Sequence, residues 1–268
     1  MAIIEGLQNW TMKTPGLFGI FHIASLYIVA IVTALLVCLY RNADIKIMKR
    51  IVFISWILLV VFEVFKQLIV SHEGGEWKYN WYHFPYQFCE TPLYVLPILL
   101  LVRNEKARNA LIAFISTYVF FAGFALMVLP LTLYSEKVFF NIRTMLEHGI
   151  QVMLGIYLFA WNRKNMNAIS FLQGSIIFIG TVIVAVILNS TIGIKHPEIN
   201  MFFLSKNNDS IILILKEIKP HVPWVIYLLS YLVGFTLCSI ISYTLFNFIY
   251  KITSKIEPIS NQEVEYKN

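Results

Sequence analysis

The chain has 268 residues, 58% of them hydrophobic and 13% charged, with a formal net charge of +6 and a mean hydropathy of +0.70. A soluble domain carries about 45–50% apolar and about 25% charged residues, so this composition excludes a disordered chain, a nucleic-acid-binding module and an ordinary cytosolic enzyme. An all-α, polytopic membrane helix bundle remains, in which the positive charge reads as loop lysines and arginines that orient the spans.

Seven apolar segments follow, at roughly 17–40, 50–71, 84–102, 109–134, 138–161, 168–193 and 222–250. They make one integral membrane domain over 1–256 and leave a polar tail at 257–268. The first segment is expected to be a retained span. It is too long for a cleavable signal, and no small-residue cleavage site accompanies it. His22 lies near its outer end. Span two carries Glu63 and Lys66 one helical turn apart, a spacing that lets them pair. The following stretch, SHEGGEWKYNWY at 71–82, is rich in Trp and Tyr and suits the headgroup zone.

Span three opens with HFPYQFCETPLYVLP, which holds Tyr86, Gln87, Cys89 and Glu90. Pro85 is expected in the first helical turn, where its missing N–H costs nothing. Cys89 would then face free backbone N–H groups at a positive helix end, with Glu90 opposing. Pro92 and Pro97 are expected to interrupt the ladder further on. Span five carries Arg143, Glu147, His148 and Gln151, whose i, i+4 spacings form one polar stripe. The longest loop, 195–221, contains SIILILKEIK, which suits either an interfacial amphipathic helix or a lid over the bundle.

Loop charge sets the expected orientation. Twelve lysines and arginines flank one side of these spans and seven the other, which puts the N-terminus outside and the C-terminus inside. On that topology the intramembrane polar residues all fall in the outer half of the bilayer. A charge at the bilayer centre costs roughly 2.5–3.5 kcal/mol, so such a cluster needs internal partners or a water-filled cavity. Two readings stay open: a polar cavity toward the outer leaflet, or salt bridges and packing hydrogen bonds with no chemistry. Cys38, Cys89 and Cys238 contain no CxxC pair, so neither a disulfide framework nor a zinc site is expected. Cys89 alone lies with the polar cluster. At 1.5 Å per residue it sits about 8 Å deep and His148 about 15 Å deep, a mismatch of about one turn.

These residues resemble the pattern of the YwaF-like family of bacterial integral membrane proteins, related to vertebrate transmembrane protein 164. The resemblance covers most of the chain. It rests on FGIFHIASL in span one, FEVFKQ in span two, FPYQFCETPLYVLP, MLEHGIQ in span five, and NMFFLSKNN followed by HVPWVIYLL. The vertebrate relative is an acyltransferase that remodels ether phospholipids through a cysteine and a histidine, so the resemblance implies Cys89 and His148 as a catalytic pair. It also brings in Asn200, which opens NMFFLSKNN, as a substrate-side residue.

The leading expectation is a membrane-embedded phospholipid acyltransferase in a bacterial plasma membrane. Cys89 would form an acyl-thioester and His148 would act as base. Arg143 or Lys66 would hold a lipid phosphate, and Gln87, Gln151 or a backbone N–H would supply the oxyanion site. His22, Tyr86, Glu63, Glu90, Glu147 and Asn200 complete the expected substrate-binding set. Membrane lipids are the implied partners, with no nucleic acid, metal or soluble cofactor. A transporter would instead use Glu63, Lys66, Glu147 and His148 as a substrate or proton site. A structural protein without turnover is the third alternative.

Overall fold

In a computed structural model of the chain, the structure describes residues 2–73, 75–130 and 133–256. The polar tail at 257–268 lies outside the described residues. Among the described residues, ten α-helices account for most of the fold: α1 (Ala2–Asn9), α2 (Ile20–Tyr40), α3 (Ile45–Ser71), α4 (Pro92–Leu101), α5 (Glu105–Phe114), α6 (Phe120–Val128), α7 (Val138–Trp161), α8 (Ala168–Lys195), α9 (Leu215–Ile218) and α10 (Trp224–Ile256). A two-residue hairpin, β1 (His72–Glu73) against β2 (Glu76–Trp77), is the one sheet among the described residues.

Among the described residues, five helical stretches are long and apolar enough to cross a membrane. They are α2, α3, the run Glu105–Val128, α8 and Trp224–Ile252 of α10. The other two of the seven expected segments are helical but differ from a plain span. α7 has 24 residues, about 36 Å at 1.5 Å per residue, yet carries Arg143 and Glu147 in its length. The segment expected over 84–102 yields only the 10-residue α4, about 15 Å long, roughly half the hydrocarbon thickness.

The reason is proline placement. Pro85 lies ahead of any helix, and Pro92, expected to interrupt the ladder, instead occupies the first position of α4. Residues 84–91 fold as irregular chain and a 3-10 turn at Phe88–Glu90, so Cys89 lies before the helix rather than within it. Pro97 does sit inside α4. It cannot donate to the Leu93 carbonyl, and the indole N–H of Trp56 on α3 takes that carbonyl at 3.0 Å.

The run Glu105–Val128 is the centre of the bundle. Of its most apolar window 72% is buried, against 6% for α2, which presents Ile20, Tyr27 and Leu39 outward. A π-helical turn, Ile115–Val119, joins α5 to α6, with the Phe120 N–H bonded back to Ile115. It packs against α7 and α10. Gly174 lets α8 close on α5, since a Cβ there would meet the Phe114 nitrogen at 2.8 Å.

At one end of the bundle the chain is laced over the helix tips. α1 packs on α3 and α7, and the Gln8 side chain donates to the carbonyls of Ile69 and His72. Thr11 bridges to Lys137. The SIILILKEIK stretch does not form the interfacial helix. Its one short helix, α9, is four residues long, and Ile214 before it has φ 71°. Leu215 is buried against the bundle and Lys219 donates to the carbonyls of Phe203, Ser205 and Asn208, so the loop is tied down by packing and backbone capture.

Candidate functional site

The predicted i, i+3 and i, i+4 pairs form, and the fold then joins them. On α3, Lys66 Nζ lies 2.7 Å from Glu63. On α7, Arg143 lies 3.1 Å from Glu147. Lys66 also reaches Glu90 at 2.6 Å, and Arg143 reaches Glu63 at 2.8 Å and Glu90 at 3.2 Å. Three carboxylates and two cations from α3, α7 and the turn before α4 thus make one buried network. Gln67, one turn beyond Glu63, donates to its carboxylate at 2.7 Å and to the His83 carbonyl at 2.6 Å. Such mutual satisfaction is what permits charges at this depth.

Cys89 stands at the edge of this network. Cys89 and the Glu147 carboxylate border the same small cavity. The Cys89 backbone carbonyl accepts from the Gln151 amide at 2.6 Å. The residue is partly exposed, toward this cavity, lined by Leu59, Phe62, Leu93, Arg143, Leu146 and Glu147. The cavity has room for about one water molecule. Glu90 is held in place from its other side, where one carboxylate oxygen accepts the Gln87 N–H at 2.8 Å.

His148 follows Glu147 on α7 and so points about 100° away around the helix. It is 3% exposed. Its Nδ1 lies 2.8 Å from the Thr144 carbonyl, one turn back. A carbonyl can only accept, so Nδ1 carries the proton and Nε2 of the neutral ring keeps a free lone pair. Nε2 is buried with no hydrogen-bond partner among the described residues. No hydrogen bond joins Cys89 to His148 among the described residues; Glu147, not His148, shares the lining of the cavity at Cys89.

The remaining expected site residues divide into two groups. Glu63, Lys66, Glu90, Arg143, Glu147 and Gln151 gather at Cys89. Lys66 and Arg143, expected to hold a lipid phosphate, are both paired with carboxylates, Lys66 with Glu63 and Glu90 and Arg143 with Glu63, Glu90 and Glu147. Gln87, expected as an oxyanion donor, is engaged elsewhere by its side-chain amide. Its amide donates to the Asn200 carbonyl at 3.0 Å and accepts the Phe202 N–H at 3.0 Å, which fastens the 196–221 loop over this end of the bundle.

His22, Tyr86 and Asn200 lie outside the ion network. His22 accepts the Phe18 N–H at Nδ1, which fixes the chain entering α2, and donates from Nε2 to the Met127 carbonyl at 2.7 Å, which joins α2 to α6, so both ring nitrogens are spent. Tyr86 bonds the Thr181 carbonyl and stacks on Phe202 at 5.4 Å. Asn200 shapes its own loop, donating to the Asp209 carbonyl and accepting the Ser205 N–H. Phe202 and Phe203 carry positive φ there, 56° and 58°, backbone that tertiary contacts must hold. Sequence reading missed Thr144 and Gln67. Both sit four residues from a recognised polar residue on the same helix, and that spacing was the available signal.

A family model described as the TMEM164 family matches residues 17–244, and the chain belongs to that family. No curated protein and no solved structure matches it.

Proposed function

From membership in the TMEM164 family we propose that this multi-pass membrane protein is a phospholipid acyltransferase with Cys89 as its nucleophile and His148 as its second catalytic residue. The observation that carries the reading is the setting of Cys89. It is the one thiol that borders the buried ion network, it opens on a cavity, and a proton acceptor, the Glu147 carboxylate, lines that same cavity.

In the first half-reaction the thiol proton passes to the Glu147 carboxylate and the sulfur attacks a phospholipid ester carbonyl. The ester C–O bond breaks, the leaving alkoxide takes a proton back, and an acyl-thioester and a lysophospholipid result. In the second, His148 Nε2 removes a proton from the acceptor hydroxyl, whose oxygen attacks the thioester carbonyl; the departing thiolate is then reprotonated. Anchoring Nδ1 on Thr144 keeps the basic nitrogen at Nε2. The apolar outer faces of α2, α8 and α10 suit acyl chains arriving from the lipid. The same reading carries seven crossings in a bacterial plasma membrane, with the N-terminus outside and the C-terminus inside, as the loop charges favour.

The test compares wild type, Cys89→Ala and His148→Ala at equal expression. Lipid acyl composition is read by mass spectrometry, and hydroxylamine-sensitive acyl adducts are sought on the purified protein. A lipid change and an adduct that vanish in Cys89→Ala support the reading. Retention of both in Cys89→Ala sinks it. His148→Ala is expected to keep the adduct and lose transfer to the acceptor.

A further inference from the structure

We propose that the groove between α3 and α4, at the end of the bundle where α3 begins, binds one anionic phospholipid with its headgroup on Lys46, Lys49 and Arg50. The groove has a volume of about 460 Å³; its cationic end points away from Cys89, while Trp56 at its floor reaches Leu93, which lines the Cys89 cavity. Sites for small ligands span about 300–1,000 Å³, so it is of ligand size.

Two features of the fold create it. α4 is short and ends at Leu101, so α3 runs on past it toward the membrane surface. Pro97 also breaks the ladder of α4, and Trp56 turns its indole N–H to the freed Leu93 carbonyl, which fixes the ring at the floor of the groove.

The wall contributed by α3 is a single stripe. Lys46, Lys49, Arg50, Phe53 and Trp56 follow at i, i+3, i+4, i+7 and i+10, one face of a helix. Polarity along that stripe is ordered. The cations occupy the first turn and a half of α3, and the aromatics follow over the next 10 Å or so at 1.5 Å per residue. Pro97, Leu100 and Leu101 form the facing wall, all apolar. Charge at one end and hydrocarbon over the rest is the profile of a phospholipid lying along a helix.

The charges are available for a ligand. No carboxylate lies within salt-bridge distance of Lys46, Lys49 or Arg50 among the described residues. Lys49 donates to the Leu100 carbonyl at 2.5 Å, which leaves its positive charge uncompensated. Asp44, the nearest acid in sequence, is engaged as the N-cap of α3 by the Ile47 N–H at 2.8 Å. Lys46 and Arg50 are exposed, as is Phe53 at 49%. A zwitterionic lipid would bring a choline or ethanolamine cation to three cations, so the groove selects for net negative headgroups. This site is independent of the acyltransferase reading.

The experiment uses the full chain in phosphatidylcholine nanodiscs that contain a minor fraction of lipid with brominated acyl chains, either phosphatidylglycerol or phosphatidylcholine. Bromine quenches nearby tryptophan, and Trp56→Phe identifies the share of quenching that belongs to the groove. Brominated phosphatidylglycerol is expected to quench Trp56 more than the choline lipid does. Each basic residue at an anionic membrane surface is worth about a fivefold preference, so K46Q/R50Q should reduce the preference by about 25-fold. Native mass spectrometry of wild type and K46Q/R50Q gives a second reading, as retained phosphatidylglycerol adducts. Equal quenching by the two lipids, an excess that survives K46Q/R50Q, or an excess unchanged in Trp56→Phe overturns the proposal. So does loss of the excess to glycerol 3-phosphate at constant ionic strength, which would assign the cations to a soluble phosphate.

Discussion

Lys66 of α3 and Glu90, the neighbour of Cys89, meet at 2.6 Å, although 24 residues and a surface loop separate them. That ion pair ties the turn carrying the candidate nucleophile to Glu63, Lys66 and Gln67 of α3. Arg143 adds the third element, reaching Glu63, Glu90 and Glu147 from α7. The site is therefore a junction of three elements held by charge.

The network holds two cations against three carboxylates, so its members are not equivalent. Arg143→Met removes a partner from all three acids and should destabilise the fold by about 3–5 kcal/mol, the cost of leaving buried charge uncompensated. Glu147 has one ion pair. Glu147→Gln relieves the excess of negative charge and should cost no more than about 1 kcal/mol. Thermal unfolding in detergent distinguishes them; equal losses would show that the charge imbalance has no energetic weight.

Gly123 of α6 sets the distance to α7. A Cβ there would lie 2.6 Å from the Gln151 Cβ and 3.0 Å from the His148 carbonyl. Gly123→Ala should push the helices apart and cost about 1–3 kcal/mol, as overpacking does. Gln151 would be moved off the Cys89 carbonyl. Alkylation of Cys89 in the folded protein is expected to quicken, and an unchanged rate with an unchanged melting temperature would contradict the close packing.

Gln87 fastens the 196–221 loop with both ends of its amide. Gln87→Ala leaves the Phe202 N–H without its acceptor and should cost about 1–3 kcal/mol. Amide exchange over 200–205 is predicted to accelerate while α5 keeps its protection. If exchange in the loop stays at the wild-type rate, the loop is held by Tyr86 and Phe88 packing instead.

His83 sits in the surface turn at Trp81–His83, where burial pushes its imidazole down to about 4, with the nearby charges of Lys66 and Arg143 acting the same way. The unfolded chain takes up this proton near pH 6.5. Between that pH and about 4 the unfolded state binds a proton that the folded state does not, so stability falls as pH drops through this window. His83→Gln should flatten that part of the melting curve against pH. A slope that persists undiminished would place the titration elsewhere.

Much of the site was legible in one dimension because helices make it so. Glu63 with Lys66, and Arg143 with Glu147, are neighbours by helical period alone, and the structure joins both pairs. The same rule exposes the basic and aromatic stripe from Lys46 to Trp56. The membrane class followed from composition, since 13% charge cannot cover a soluble surface of this size. Long-range capture was not legible. Nothing local to Gln87 indicates that it binds Phe202, 115 residues away. Nothing local to His22 shows that Met127 satisfies its Nε2.

The sequence alone thus determined a helical membrane protein whose polar residues concentrate around one cysteine, because lipid admits few charges and those it admits must be spaced to pair. The tertiary structure decided which groups meet. It shortened the third segment to half a span at Pro92, and set Glu147 rather than His148 on the small cavity that Cys89 lines. It also committed Lys66 and Arg143 to carboxylates, so that the cations left open for a lipid headgroup lie at the other end of α3. Those outcomes depend on how α3, α4 and α7 pack against one another, which the helical period does not encode.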